Sequence, residues 1–201
     1  MSKNYKSVPK LFLSYKTDAQ LIVAIILSAQ STDAQVNKVT LTLFKKYKSI
    51  NDFANATPLV FEKEIYSTGY YKQKTKNIIS CFKKIKTDFN GKIPFEMEKL
   101  VSLPGIGRKT ANLILASKNI VNGIAVDTHV FRLSHRLGFS NKLNQWGVEK
   151  DLMEVFDKKK WSKINGLLIM HGRAVCSAKK PKCSSCFINK KNLCPLIEIK
   201  K

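Results

Sequence analysis

LPGIGRKTAN, residues 103–112, is the stretch from which this chain is best read, and Asp127 follows its Lys109 by eighteen positions in AVDTH. Pro104 fixes φ for a tight turn, and Gly105 and Gly107 open backbone conformations closed to other residues. Lacking side chains, the glycines also let an anion approach until successive backbone N–H groups converge on it. Residues 108–118 then read as a helix with Ala111, Ile114 and Leu115 on one apolar face. A helix N-terminus adds partial positive charge, so turn and helix together form a phosphate clamp. Arg108 and Lys109 stand in its first turn. Their positive surroundings favour the free amine of Lys109 over its ammonium ion. A free amine beside a sugar C1′ can displace a base and form a Schiff base. The plainer alternative is a surface lysine that touches phosphate.

Asp127 also has two readings. It precedes an amphipathic run that ends at Gly138, so it can cap a helix as well as serve a reaction as a carboxylate, and the two roles are compatible. Four of the five cysteines, Cys176, Cys183, Cys186 and Cys194, follow the spacing C-x6-C-x2-C-x7-C. Four thiolates on a short loop-rich segment can hold zinc or an iron–sulfur cluster, and spacing alone leaves that choice open. An odd cysteine count and the absence of a secretion signal argue against disulfides. Cys81 falls in helical register with Ile78, Phe82 and Ile85 and reads as a buried apolar residue.

Thirty-six basic against fourteen acidic residues give a formal net charge of +22, which suits a polyanionic partner. The longest apolar run, LIVAIIL at 21–27, is far short of the ~20 residues that span a bilayer. The first ten residues are basic and lack a signal peptide's apolar run, so the cytoplasm is the expected compartment. Periodicity is helical throughout. Capping boxes are expected at Thr17 to Gln20 and at Thr32 to Gln35. A helix through Ile78, Phe82, Ile85 and Phe89 closes at Asn90-Gly91. A short helix ending near Leu103 is followed by others over 108–118, 128–138, 148–156 and 161–170. Trp146 and Trp161 read as core, and the break NIVNG at 119–123 separates Lys109 from Asp127.

Four blocks carry a resemblance: LSAQSTD at 27–33, LPGIGRKTAN, IAVDTHVFR at 124–132, and HGRAVC at 171–176 with the cysteine cluster behind it. Over residues 27–194 the chain resembles the endonuclease III family, DNA glycosylase/AP lyases of the helix–hairpin–helix superfamily. The resemblance implies an all-α fold of two domains: a central helical domain at 12–121, and a discontinuous one at 1–11 and 122–201 with an iron–sulfur loop. Lys109 would then come from one domain and Asp127 from the other, with the active site between them.

Residue by residue, the resemblance makes Lys109 the Schiff-base lysine and Asp127 the catalytic aspartate. It makes Cys176, Cys183, Cys186 and Cys194 the ligands of a 4Fe–4S cluster. Gln30 matches a glutamine that enters the duplex where a damaged nucleotide is expelled, and Lys180 a basic residue that touches phosphate. Gly105, Gly107 and Arg108 form the hairpin clamp. Two departures stand out. The interval before Cys194 is longer than is usual in the family, and Tyr70 occupies a wedge position where relatives commonly carry an aliphatic residue. The implied partner is double-stranded DNA with damaged bases or abasic sites. Oxidised pyrimidines are the expected bases, strand cutting proceeds by β-elimination, and a monomer at the bacterial nucleoid is expected. The alternatives are a mismatch glycosylase of the same fold and a DNA-binding module with structural zinc.

Overall fold

The computed structural model describes Tyr5 and residues 11–195, and every regular element among them is helical. The chain divides into two compact units, one being Phe12–Leu115 and the other holding Tyr5, Leu11 and residues 116–195. Residues 1–4, 6–10 and 196–201, assigned by sequence to the second domain, lie outside the described residues.

The first unit is built around α1 (Asp18–Ser28), whose residues from Ala19 to Leu27 are all buried. A helix that is apolar on every side belongs at the centre of a core, and α1 packs on α2 (Asp33–Lys46) and α5 (Tyr71–Asp88). The short helices α3 (Ile50–Ala54) and α4 (Pro58–Ile65) lie on α5 as well. Phe53, Phe61 and Phe82 meet there, with Phe53 stacked on Phe82 at 4.8 Å between ring centroids. Helix α6 (Met97–Val101) and α7 (Arg108–Ser117) flank the glycine turn.

The caps differ from expectation in an informative way. Thr17 and Thr32 each accept from the backbone N–H of the third following residue, Gln20 and Gln35, as N-caps do. Neither glutamine completes a box. Gln20 accepts from the Lys16 N–H, and Gln35 donates instead to the Ser67 hydroxyl. The reciprocal box is at Ser49 and Asp52, which opens α3. Its backbone N–H donors hold the Asp52 carboxyl below its ordinary range. Just past the end of α5 come Asn90 and Gly91, both with positive φ, and the Gly91 N–H returns to the Ile85 carbonyl. Cys81 is fully buried in α5, and burial pushes its thiol up to about 12.

The second unit contains α8 (Thr128–Arg136), α9 (Gln145–Val155) and α10 (Trp161–Ala174). Helix α10 packs on α8 at Gly172, where a Cβ would stand 2.9 Å from His129 Nδ1 and 3.0 Å from Arg132 Nη2. Neither tryptophan is a core residue. Trp146 is exposed beneath Lys150, and half-buried Trp161 donates to the Phe156 carbonyl. Each keeps its polar edge or face in use, which favours a partly wet position. No helix among the described residues is long and apolar enough to cross a membrane.

Candidate nucleic-acid interface and active-site residues

The hairpin between α6 and α7 is pinned from beneath by two buried side chains, Leu103 and Ile106, and closed by the Ile106 N–H donating to the Leu103 carbonyl. The two glycines serve it differently. Gly105 has φ +79°, and a Cβ there would lie 2.8 Å from Asn77 Cβ of α5. Gly107 does not have positive φ, so its role is not conformational as the sequence suggested. A Cβ on Gly107 would meet nothing within 4 Å, and its value is the bare, open backbone it presents at the start of α7.

A contrast follows. Gly105→Ala is expected to destabilise the protein by about 1–3 kcal/mol, from strained φ and the clash with α5. Gly107→Ala should leave stability within about 0.5 kcal/mol while weakening DNA binding. Urea titration and DNA-binding isotherms of the two variants check this.

Helix α7 buries Ala111, Ile114 and Leu115, and this register turns Lys109 outward. Lys109 is exposed and, among the described residues, makes no hydrogen bond or ion pair. Arg108 beside it is half-buried.

Asp127 is held in the second unit by what precedes and follows it. Ile124, Ala125 and Val126 are buried, and the Ala125 carbonyl accepts from Asn165 Nδ2 of α10 at 2.8 Å. Asp127 Oδ1 accepts from the Val130 N–H at 2.8 Å, so this residue is the N-cap of α8. The side chain is half-buried, and Oδ2 has no partner among the described residues. One oxygen therefore builds the helix, and the other is not used by the cap.

Gln30 and Tyr70 share a backbone signature. Both are exposed and both have positive φ, 54° and 49°. Each projects from a turn, Gln30 after α1 and Tyr70 at the start of α5. Lys74, which sequence reading passed over, lies one turn into α5. It is buried, and burial pulls its ammonium below the usual range. Its Nζ donates to the Leu27 carbonyl at 2.8 Å and to the Thr68 carbonyl at 2.7 Å. Helix α5 thus bears Lys74 and Asn77 three positions apart, with Tyr70 as its N-cap residue, and reaches both exposed turns and the hairpin.

The four clustered cysteines are free thiols and line one small cavity with Arg136, His171 and Asn189. Among the described residues no three side chains are grouped closely enough to hold a single metal ion. The loop is nonetheless tightly organised. Arg136 donates to Cys176 Sγ at 3.3 Å and to the carbonyls of Ser177 and Ala178. Buried His171 meets Cys186 Sγ at 3.6 Å and the Tyr5 hydroxyl at 2.9 Å, which gives the residue a structural place. The longer interval before Cys194 is taken up by the 3₁₀ turn Asn189–Lys191 and by Asn192 at positive φ, so Cys194 still lines the cavity. Lys180 is exposed at the tip of the first loop, which is closed by Ser177 Oγ donating to the Lys180 carbonyl. A cavity of ≈ 530 Å³ in the first unit, around Tyr15, Asn37 and Phe44, contains none of the catalytic, DNA-binding or metal-ligating residues expected from the sequence.

Residues 23–158 match the family described as HhH-GPD superfamily base excision DNA repair protein. The endonuclease III of Synechocystis sp. is 46% identical over 184 residues, which are 91% of this chain and 83% of that relative. The endonuclease III of Bacillus subtilis is 46% identical over 176 residues, 87% of this chain and 80% of its own. Among solved structures, the trapped endonuclease III–DNA covalent intermediate in its estranged-adenine complex has a TM-score of 0.92 at 38% identity. That match covers 99% of this chain and 92% of the other. The chain belongs to the endonuclease III family of HhH-GPD base excision DNA repair proteins.

Proposed function

We propose that in this DNA glycosylase/AP lyase Lys109 is the nucleophile and Asp127 the supporting carboxylate, acting on oxidised pyrimidines and abasic sites in double-stranded DNA. One observation carries the assignment: the lysine that follows the hairpin glycines is exposed and uncommitted to any other side chain among the described residues.

A base stacked in a duplex hides its C1′, so the nucleotide is first extruded, at a cost of a few kcal/mol that damage lowers. Gln30 and Tyr70 fill the gap from their two turns. The hairpin at Gly105 and Gly107, with Arg108, fixes a phosphate near the lesion, and Lys180 reaches another. The remaining basic residues supply attraction that is independent of sequence.

Lys109, as the free amine, bonds through Nζ to C1′ as the bond from C1′ to the base breaks. The base departs with that electron pair and takes up a proton. Asp127 stabilises the positive charge that develops on the sugar and assists the proton transfer. Opening of the sugar ring leaves an iminium between Lys109 and C1′. Loss of a C2′ proton then expels the 3′ phosphate with the electrons of the C3′–O bond, and the strand is cut. Acting on bacterial DNA, the protein works in the cytoplasm at the nucleoid, as a monomer.

The test is borohydride trapping on duplexes with one oxidised pyrimidine or one abasic site. A covalent protein–DNA adduct on both is expected. Failure to trap either would overturn the proposal.

The cysteine loop fits a 4Fe–4S cluster by its donor set: four free thiols lining one cavity, with an arginine N–H donating to one sulfur. Cys176, Cys183, Cys186 and Cys194 would hold it. When bound, such a cluster ties the loop together and presents Lys180 to DNA. The purified protein is expected to be brown, with broad absorbance near ~400 nm and about four irons per chain. Cys194→Ser should lose most of that absorbance. A colourless protein loaded with zinc would replace the cluster by a structural zinc site.

A further inference from the structure

We propose that Lys74 is a positioning residue that locks the Gln30 turn and the Tyr70 turn into one rigid wedge, so that the two residues enter DNA together. The inference rests on the reading of those residues as DNA-inserting, and it deepens that reading.

Its warrant is the placement of Lys74. Lysine is almost never fully buried unless paired, yet this one is 4% exposed. No carboxylate lies within ion-pair distance of it among the described residues. Its partners are two backbone carbonyls that belong to different turns, Leu27 at the end of α1 and Thr68 in the 3₁₀ turn Tyr66–Thr68. Each carbonyl lies a few residues from a side chain at positive φ: Leu27 precedes Gln30 by three positions, and Thr68 precedes Tyr70 by two.

Non-glycine residues hold that backbone conformation only where their surroundings over-determine it, and such outliers gather at ligand clamps. A methionine or leucine would fill the same space without the penalty of burying a charge. It would leave both carbonyls unpaired, and the turns would then move separately. An exposed link, Gln35 Nε2 to Ser67 Oγ at 2.6 Å, joins α2 to the same 3₁₀ turn, but it lies open to water. The buried bridge is Lys74.

Preorganisation of this kind acts on extrusion, not on the chemistry at C1′. Misplacing a positioning element by about 1 Å costs on the order of 10²-fold in rate. Lys74→Met is therefore expected to slow excision of a damaged base from duplex DNA by about 10²-fold. It should trap borohydride adducts within about two-fold of wild type on an abasic site in single-stranded DNA, where no stack has to be opened. A 2-aminopurine placed opposite the lesion should lose most of the fluorescence rise seen with wild-type protein. Gln35→Ala, which removes the exposed link alone, should change excision by less than about three-fold.

Lys74→Gln provides a milder variant, because its amide can still reach one carbonyl if Lys74→Met does not fold. In Lys74→Gln, amide hydrogens of residues 28–32 and 66–71 should exchange at least about ten-fold faster, while those of 103–108 stay unchanged. Unchanged exchange in both turns, or wild-type excision and fluorescence in a folded Lys74→Met protein, overturns the clamp. If wild-type protein itself forms no adduct, the proposed catalytic assignment fails, and the exchange measurement still decides whether Lys74 holds the two turns.

Discussion

Lys109→Gln is expected to form no borohydride adduct and to cut lesion DNA about 10⁴-fold or more slowly than wild type, while its affinity for the same DNA changes only a few-fold. The separation of the two effects is what the structure makes testable. Lys109 is exposed on the outer face of α7 and makes no hydrogen bond or ion pair among the described residues, so its replacement should leave stability within about 0.5 kcal/mol. A loss of activity therefore cannot be charged to unfolding. The rival role, a phosphate contact, predicts the opposite pattern. Removing such a contact weakens binding uniformly and reduces the slope of affinity against salt by ≈ 1, while chemistry on bound DNA persists. Single-turnover cutting at saturating protein, together with a salt titration of binding, separates the two. With thirty-six basic residues in the chain, one lost charge is a small part of the electrostatic attraction.

What the sequence made legible was whatever depends on local chemistry. Pro104, Gly105 and the apolar stripe of α7 announce a turn and a helix, and the fold has both. The Asn90-Gly91 stop and the Thr17 and Thr32 caps are local in the same sense. Helices α3 and α4 escaped because they are too short, at five and eight residues, for a hydrophobic period to show. Gln35 could not be read correctly because its partner, Ser67, is thirty-two residues away. Lys74 is the most instructive omission. Within KQKTK it looks like one more basic residue. Yet it stands four and eight positions before Ile78 and Phe82, on the buried face of α5, and a lysine in apolar register is a signal that sequence alone carries. What no pattern supplies is the pair of carbonyls it meets, since those come from segments brought together only by the fold.

Asp127 calls for two variants, because one oxygen caps α8 and the other is the one proposed to serve the reaction. Oδ1 caps α8 through the Val130 N–H, and the cap is anchored by the buried run Ile124 to Val126 and by Asn165. Asp127→Asn retains an oxygen that can accept from Val130, so the helix start survives while the negative charge is lost. Its melting temperature is expected to stay close to that of wild type, and single-turnover base excision to fall by about 10²–10⁴-fold, the range for loss of a positioned acid–base or charge-stabilising group. Asp127→Ala removes the charge and the cap together. It should show the same kinetic defect and lose a further 0.5–2 kcal/mol or so of stability. If Asn restores excision as fully as it restores the cap, the carboxylate serves only to start a helix, and the charge that develops on the sugar must be met by another group. If both variants are equally slow and only the alanine protein melts early, capping and catalysis reside on opposite oxygens of one side chain. The helix start then fixes the direction in which the second oxygen points.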